Sequence, residues 1–373
     1  MGPLQGVKVL EIAGLAAAPL GCTILADLGA DVLRVDRVGG RGIAQDPLSR
    51  SRRSIALDLK SAAGIEILLR LASSHDVLVE AFRPGVAERL GFGPAVCAER
   101  NPRLVYARMT GWGQDGPLAP TAGHDIDYIA ISGALSLVGR AGERPVPPVN
   151  LVGDFGGGGM LLAIGVLAAL VERERSGQGQ VIDAAMVDGS ALLTAIFHGF
   201  SVLGAWQDQR GSNLIDGGAP FYDTYETADG YLAVGALEPQ FYAALLDGLG
   251  LADAALPSRD DRSCWPALRE RFASVIAGRT TAEWTDVFAG TDACVAPVLS
   301  LADAVKHPHN QARAMFTEVG GVTQPAPAPR FSRTPADPPQ PPPAIGGSTA
   351  EVLAGLGYSP DAIATLRAQG AAG

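Results

Sequence analysis

Two titratable residues sit where they could move a proton. His124 lies in GHDIDY (123–128), next to the carboxylates Asp125 and Asp127, and follows the glycine-rich run GWGQDGP, whose backbone can approach a ligand closely. Such a histidine serves either as a general base or as a polar cap. Asp154 lies in NLVGDFGGGG (150–159), ahead of an apolar run that begins at Met160. An acid at a helix start is either an N-cap, worth about 1 kcal/mol, or a functional group beside backbone N–H groups left open to an anion. Four consecutive glycines weaken a helix, so close approach by a ligand accounts for them better than capping does. Glu238, in GALEPQF, and Asp183 and Asp188, in VIDAAMVDGS, read on their own as strand-end, turn or cap residues.

The elements that would position these groups follow from hydrophobic patterning. VKVLE (7–11) reads as a buried strand, the segment after Gly14 as a helix ending at Gly29, and VLRVDR (32–37) as a second strand. Strand, helix and strand in about thirty residues make the βαβ unit of a parallel sheet. The pattern continues through IALDL (55–59), a helix after Lys60, DVLVEAF (76–82) and LVYARMTG (104–111), which predicts an α/β fold with a Rossmann-type doubly wound domain. Basic residues follow successive strands: Arg37 after the second, Lys60 after the third, Arg83 and Arg89 after the fourth. Each alone is compatible with solvated surface. Together they mark the carboxyl edge, where open α/β sheets bind ligands, and they suit phosphate. The segment AGLAAAP after the first strand offers one glycine where a dinucleotide fingerprint needs three, which disfavours NAD.

A length of 373 residues predicts about two domains. We place the first part of a large domain at 1–189, a smaller α+β domain at 190–320, and a Pro-rich linker with a C-terminal helix returning to the large domain at 321–373. TYETADGYLAVGAL (224–237) reads as a hairpin turning at Asp229 and Gly230. Net charge of −10 argues against a nucleic-acid partner. Four scattered cysteines without a CxxC pair read as free thiols in a reducing compartment, and His307 and His309 lack the neighbours of a metal site. The N-terminal segment lacks the pattern of a signal peptide and the C-terminal one lacks a peroxisomal tripeptide, so the expected location is cytoplasmic. The apolar stretch 159–172 is short for a bilayer and reads as a buried helix, without membrane insertion.

The motifs GPLQGVKVLEIAG, ADLGADVLRVDR, RRSIALDLKS, VLVEAFRPGVAERLGFGP, ARMTGWGQDGP, AGHDIDYIAISG, ERPVPPVNLVGDFGGGG, GQGQVIDAAMVDGS and GGAPFYDTYETADG span nearly the whole chain. In them the sequence resembles the alpha-methylacyl-CoA racemases of the family III coenzyme A transferase superfamily. The resemblance implies a large Rossmann-like domain built from both chain ends, a small domain, and two chains interlocked as a homodimer, with the active site between the large domain of one chain and the small domain of the other. It implies epimerisation of 2-methylacyl-CoA thioesters by His124 and Asp154 on opposite faces of the α carbon, with Glu238 oriented toward the histidine. Coenzyme A would be held by Arg37, Leu57, Asp58, Leu59, Lys60, Ala81, Phe82, Arg83, Arg89 and the backbone from Gly123 through Asp125, Ile126 and Asp127 to Tyr128, with the acyl chain over Met186 to Trp206. Coenzyme A enters as part of the substrate, so neither a metal nor a separate cofactor is expected. In the transferase branch an aspartate at the position of Asp154 acts as a covalent nucleophile, and a non-catalytic acyl-CoA binder is the other alternative.

Overall fold

A computed structural model describes residues 2–43 and 45–373. Six parallel strands form one sheet: β1 (Lys8–Ile12), β2 (Asp31–Arg37), β3 (Arg53–Leu57), β4 (Val77–Glu80), β5 (Val105–Thr110) and β6 (Val181–Ala185), in the order β3-β2-β1-β4-β5-β6. This is the doubly wound arrangement, in which the connections reverse direction between β1 and β4. The apolar residues of the strands are buried on both sides because both faces of the sheet are covered. Leu10, Leu33, Ile55 and Leu78 point into one cluster, with Ile67 and Leu68 of α2 (Ala62–Ala72). Val9, Val32, Val77 and Val105 point into the other, with Cys22 and Leu25 of α1 (Ala17–Asp27). Short helices α3 (Val86–Leu90), α4 (Pro94–Arg100) and α5 (Asp125–Ile131) follow the central strands.

β6 is an element that the sequence pattern did not reveal. Asp183 stands within it rather than in a turn, and its carboxylate accepts the Gln114 N–H at 2.8 Å. Asp188 lies in the first turn of the helix that follows. The apolar helix is longer than 159–172: Leu151–Met160 winds as a π-helix and runs into α6 (Leu161–Ser176). Together they are long and apolar enough to cross a membrane by length and composition alone, whereas the sequence reading made this stretch too short. Leu162, Ala163, Val166, Ala169 and Leu170 of α6 are nevertheless buried in the cluster with Val77 and Val105. After β6 comes α7 (Met186–Leu193).

The chain divides into two compact units, one of residues 1–132, 148–193 and 312–373, the other of 133–147 and 194–311. Gly133–Pro147 therefore groups with the second unit, although a linear division assigns it to the first domain. Side chains hold it there: Arg140 reaches Asp223 at 2.5 Å and Thr224 at 2.7 Å, and Arg210 donates to the carbonyls of Ser136 and Glu143. The second unit also contains α8 (Ala195–Val202), the antiparallel sheet of β7 (Tyr222–Glu226), β8 (Tyr231–Gly235) and β9 (Val295–Pro297), and α9 (Pro239–Gly248), α10 (Trp265–Ile276) and α11 (Thr281–Phe288). Its core is Phe221, Tyr225, Leu232, Leu245, Phe272 and Trp284 with their neighbours. The expected hairpin is β7–β8, closed by Thr227 and Gly230.

In the first unit, a hairpin of β10 (Phe316–Val319) and β11 (Val322–Pro325) precedes the proline-rich strap. One C-terminal helix was expected, but the segment breaks into Thr349–Gly355 and Pro360–Ala368, because Gly357 takes a left-handed conformation (φ +87°) and Pro360 starts a new helix capped by Ser359. Val352, Leu353, Ile363 and Leu366 join the cluster that contains Ile55 and Leu57, and Asp58 donates its backbone N–H to the Ala371 carbonyl.

Candidate active site

The carboxyl ends of β1, β4 and β5 open onto a cavity of about 540 Å³ in the first unit. It is lined by Ala13–Leu15 after β1, Ala81–Pro84 after β4, Met109–Trp112 at the end of β5, and by Gly123, His124, Tyr128 and Met186. This is the point at which the sheet reverses its winding, where doubly wound folds bind ligands. A second cavity of about 450 Å³ shares Ala13 and Phe82 with the first and extends along the same edge past Arg37 of β2 and Leu57–Lys60 after β3. Arg37, Lys60, Arg83 and Arg89 are all exposed. None of the four lies within ion-pair distance of a carboxylate among the described residues. The basic edge expected from the sequence is thus a set of free cations beside a groove, and Arg89, on α3, is the one that lines neither cavity.

A buried ion-pair network fixes the loop between β4 and α3. Glu80, fully buried at the end of β4, accepts the Phe82 N–H at 2.7 Å and pairs with Arg108 of β5 at 3.0 Å; Arg108 also reaches Glu88 of α3 at 2.9 Å. Glu80 and Arg108 are buried against each other while Glu88 is exposed, and burial still holds the Glu80 carboxyl above its ordinary range despite the guanidinium beside it. Nothing in the spacing of Glu80, Glu88 and Arg108 along the chain signals this network.

His124 is the N-cap residue of α5 and lines the larger cavity. Its backbone N–H donates to the Asp127 carboxylate at 2.9 Å, so Asp127 serves as the helix cap rather than as a cavity residue. Tyr128 braces the turn from inside: its hydroxyl donates to the Gly123 carbonyl at 2.5 Å, and its ring packs edge-on against Trp112 at 4.8 Å. Burial, together with the charges of Asp154 and Asp127, pushes the phenol up to about 12, so Tyr128 stays a neutral donor. Asp125 and Ile126, like Asp127, line neither cavity.

Asp154 sits half-buried in the π-helix, where Phe155 donates to the Asn150 carbonyl five residues back. π-helical turns often mark functional sites. This one depends on small neighbours, because a Cβ on Gly157 would lie 2.6 Å from the Ser190 backbone nitrogen of α7. Burial raises the Asp154 carboxyl above its ordinary range and the charge of Asp125 adds to this; the Asn150 amide, at 3.3 Å, and the His124 imidazole pull the other way without cancelling the rise. The charge of His124 thus acts on Asp154 within one unit, although Asp154, unlike His124, lines neither cavity. Asn150 is a partner of Asp154 that sequence reasoning missed, although its spacing of four residues was visible.

Glu238 belongs to the second unit. It lies beyond the end of β8, as the exposed N-cap residue of α9, with Pro239 at the first helical position. A cavity of about 600 Å³ in that unit is lined by Arg140, Tyr222, Asp223, Thr224 and Cys294 among others, but Asp223 is committed to Arg140 and Arg269, and none of the candidate catalytic residues lines it.

A doubly wound sheet with cations along its carboxyl edge and His124 in the cavity at its switch point defines the class as an α/β protein with a ligand site of the open-sheet kind. The chain belongs to the CoA-transferase family III, whose family model matches residues 4–349. It is 50% identical to the mouse alpha-methylacyl-CoA racemase over 97% of this chain and 96% of that one, and 48% identical to the human alpha-methylacyl-CoA racemase over the same shares. Among solved structures it is similar to Rv3272 from Mycobacterium tuberculosis, with a TM-score of 0.80 at 30% identity, covering 94% of this chain and 99% of that one.

Proposed function

We propose that the chain is a racemase that interconverts the two configurations of 2-methylacyl-CoA thioesters by proton transfer between His124 and Asp154. The observation that carries this reading is an exposed imidazole in the cavity at the sheet's switch point whose charge acts on a half-buried carboxyl held above its ordinary range by burial. The identity to racemases over almost the whole chain supports it. One group takes the α proton, and the C–H electron pair moves into the thioester carbonyl to give a planar enolate. The other group delivers a proton to the opposite face as the carbonyl re-forms. The two must begin each turnover in opposite protonation states and finish it exchanged. A raised carboxyl pKa brings Asp154 closer to that of an imidazole, which favours both directions.

The enolate oxygen needs donors, each worth about 3–4 kcal/mol. The His124 N–H is held by Asp127 and the Asp154 N–H by Asp125, which leaves the amides of Asp125 and Ile126 as the candidates in this turn. Arg37, Lys60, Arg83 and Arg89 would receive the phosphates of coenzyme A, which arrives as part of the substrate, so no separate cofactor is invoked. The reading includes a homodimer to which Glu238 contributes as the partner of the imidazole, and a cytoplasmic location.

The test is NMR of a single-enantiomer 2-methylacyl-CoA in deuterium oxide with wild type, His124→Ala and Asp154→Ala. Rapid α-deuteration with racemisation in wild type, lost in both variants, is the expected result. Absence of exchange in wild type would sink the racemase reading. Trapping an acyl or coenzyme A adduct on Asp154 would then favour the transferase chemistry that the family's description carries.

A further inference from the structure

The two groups assigned to proton transfer are linked by a third carboxylate. Asp125 follows His124 directly and is only 7% exposed. Its Oδ1 accepts the backbone N–H of Asp154 at 2.6 Å, across 29 positions of sequence. Its Oδ2 is buried without a hydrogen-bond partner. Room for this carboxylate comes from Gly153, where a Cβ would stand 2.5 Å from Oδ1. The second oxygen of a buried carboxylate normally finds a donor. A cap serving the fold alone would be as well satisfied by an uncharged serine or asparagine.

We propose that Asp125 is a positioning residue for the proposed racemisation: its carboxylate holds the backbone of Asp154 at a fixed distance from His124 and keeps a negative charge beside the Asp154 carboxyl. The inference rests on the racemase reading for the kinetic role, while the hydrogen bond and the charge are features of the fold. The groups facing Asp154 are few. The residue that caps its own π-helix supplies the Asn150 amide; α5 and the residue before it supply Asp125 and His124; Asp127 and Arg83, in the loop after β4, act on the neighbouring Tyr128. α1 and α7 pack against the π-helix through Ala17, Leu20, Gly189 and Ser190, and Asp188 is the one charged residue of α7. Asp125 is therefore the closest fixed anion to the base that must hold a proton in one direction and release it in the other.

Two variants separate its roles. Asp125→Asn keeps the size and an oxygen for the Asp154 N–H but removes the charge; Asp125→Ala removes both. In Asp125→Ala, kcat for α-proton exchange is expected to fall by about 100-fold, as for misplacement of a catalytic group by about 1 Å, while KM stays within about threefold, since the residue lines neither cavity. In Asp125→Asn, the limb of the kcat/KM profile governed by Asp154 is expected to move to lower pH, because the like charge that disfavours ionisation is gone. Carbon-13 NMR titration of the Asp154 carboxyl reads the same downward shift directly and does not require turnover.

A wild-type kcat in the alanine variant, or an Asp154 titration that is unmoved in the asparagine variant, would overturn the proposal while leaving the racemase reading intact. Failure of wild type to exchange the α proton would remove the racemase reading and the kinetic role of Asp125 with it. The titration still decides the electrostatic one.

Discussion

At the scale of single residues, the energetic signature of Asp154 is a carboxyl that resists ionising. Its folded-state pKa is raised, chiefly by burial. A group raised in this way contributes stability at pH values below its ordinary pKa, and that contribution is lost as pH rises through the folded value. At pH 7.5 the ionised Asp154 should therefore destabilise the fold relative to a neutral isostere. Asp154→Asn is expected to have a higher Tm than wild type at pH 7.5, with the gap narrowing as pH falls toward the ordinary carboxylate range, while α-proton exchange is abolished. Thermal melts of both proteins across pH check this, and a lower Tm for the variant at pH 7.5 would contradict it. Such exchange of stability for function is common at active sites. His124, Asp154 and the cations of the sheet edge were legible in the sequence by residue type and by place after a strand or glycine run. The bond from Asp125 to the Asp154 backbone and the Glu80–Arg108–Glu88 network were not, because contacts between distant segments leave no spacing to read.

At the scale of elements, five of the six strands were legible because Val9, Leu10, Val32, Leu33, Val77 and Leu78 are buried on both faces and read as apolar runs. β6 was hidden because it is the edge strand, begins with an exposed Val181 and carries Asp183 at its centre. The π-helix was hidden for a different reason. Glycines 156–159 lower helix propensity, and what holds them is packing: the Gly157 carbonyl would lie 1.9 Å from a Cβ on Gly189 of α7. From this contact follows a contrast between two substitutions. Gly157→Ala forces α7 and the π-helix apart, and overpacking of this kind costs about 1–3 kcal/mol; it should also lower exchange activity by displacing Asp154. Gly199→Ala, in α8, meets no atom within 4 Å and should stabilise by about 0.5–1 kcal/mol. Denaturant melts of the two variants beside wild type decide it, and equal effects of both would show that close approach does not shape the π-helix.

At the scale of the whole molecule, a net charge of −10 coexists with four exposed cations along one sheet edge, so the acidic balance that argues against nucleic acid says nothing against a phosphorylated ligand. The proposed reading raises a further question, because it asks Glu238, in a unit with a core of its own, to serve the imidazole of the other unit. The proposed homodimer answers it with a site assembled from two chains, and this can be tested by complementation. When His124→Ala and Glu238→Ala chains are co-expressed with different tags, the purified heterodimer has one site that combines the intact His124 and Asp154 of one chain with the intact Glu238 of the other. It should recover up to about half of wild-type turnover per dimer, as expected when one of two symmetric sites is whole. A heterodimer of His124→Ala and Asp154→Ala should recover nothing, since both residues belong to the first unit and neither site is complete. Recovery in the first pair but not in the second would fix Glu238 as the contribution of the other chain. Failure in both, with heterodimers present, would place His124, Asp154 and Glu238 of each site on a single chain.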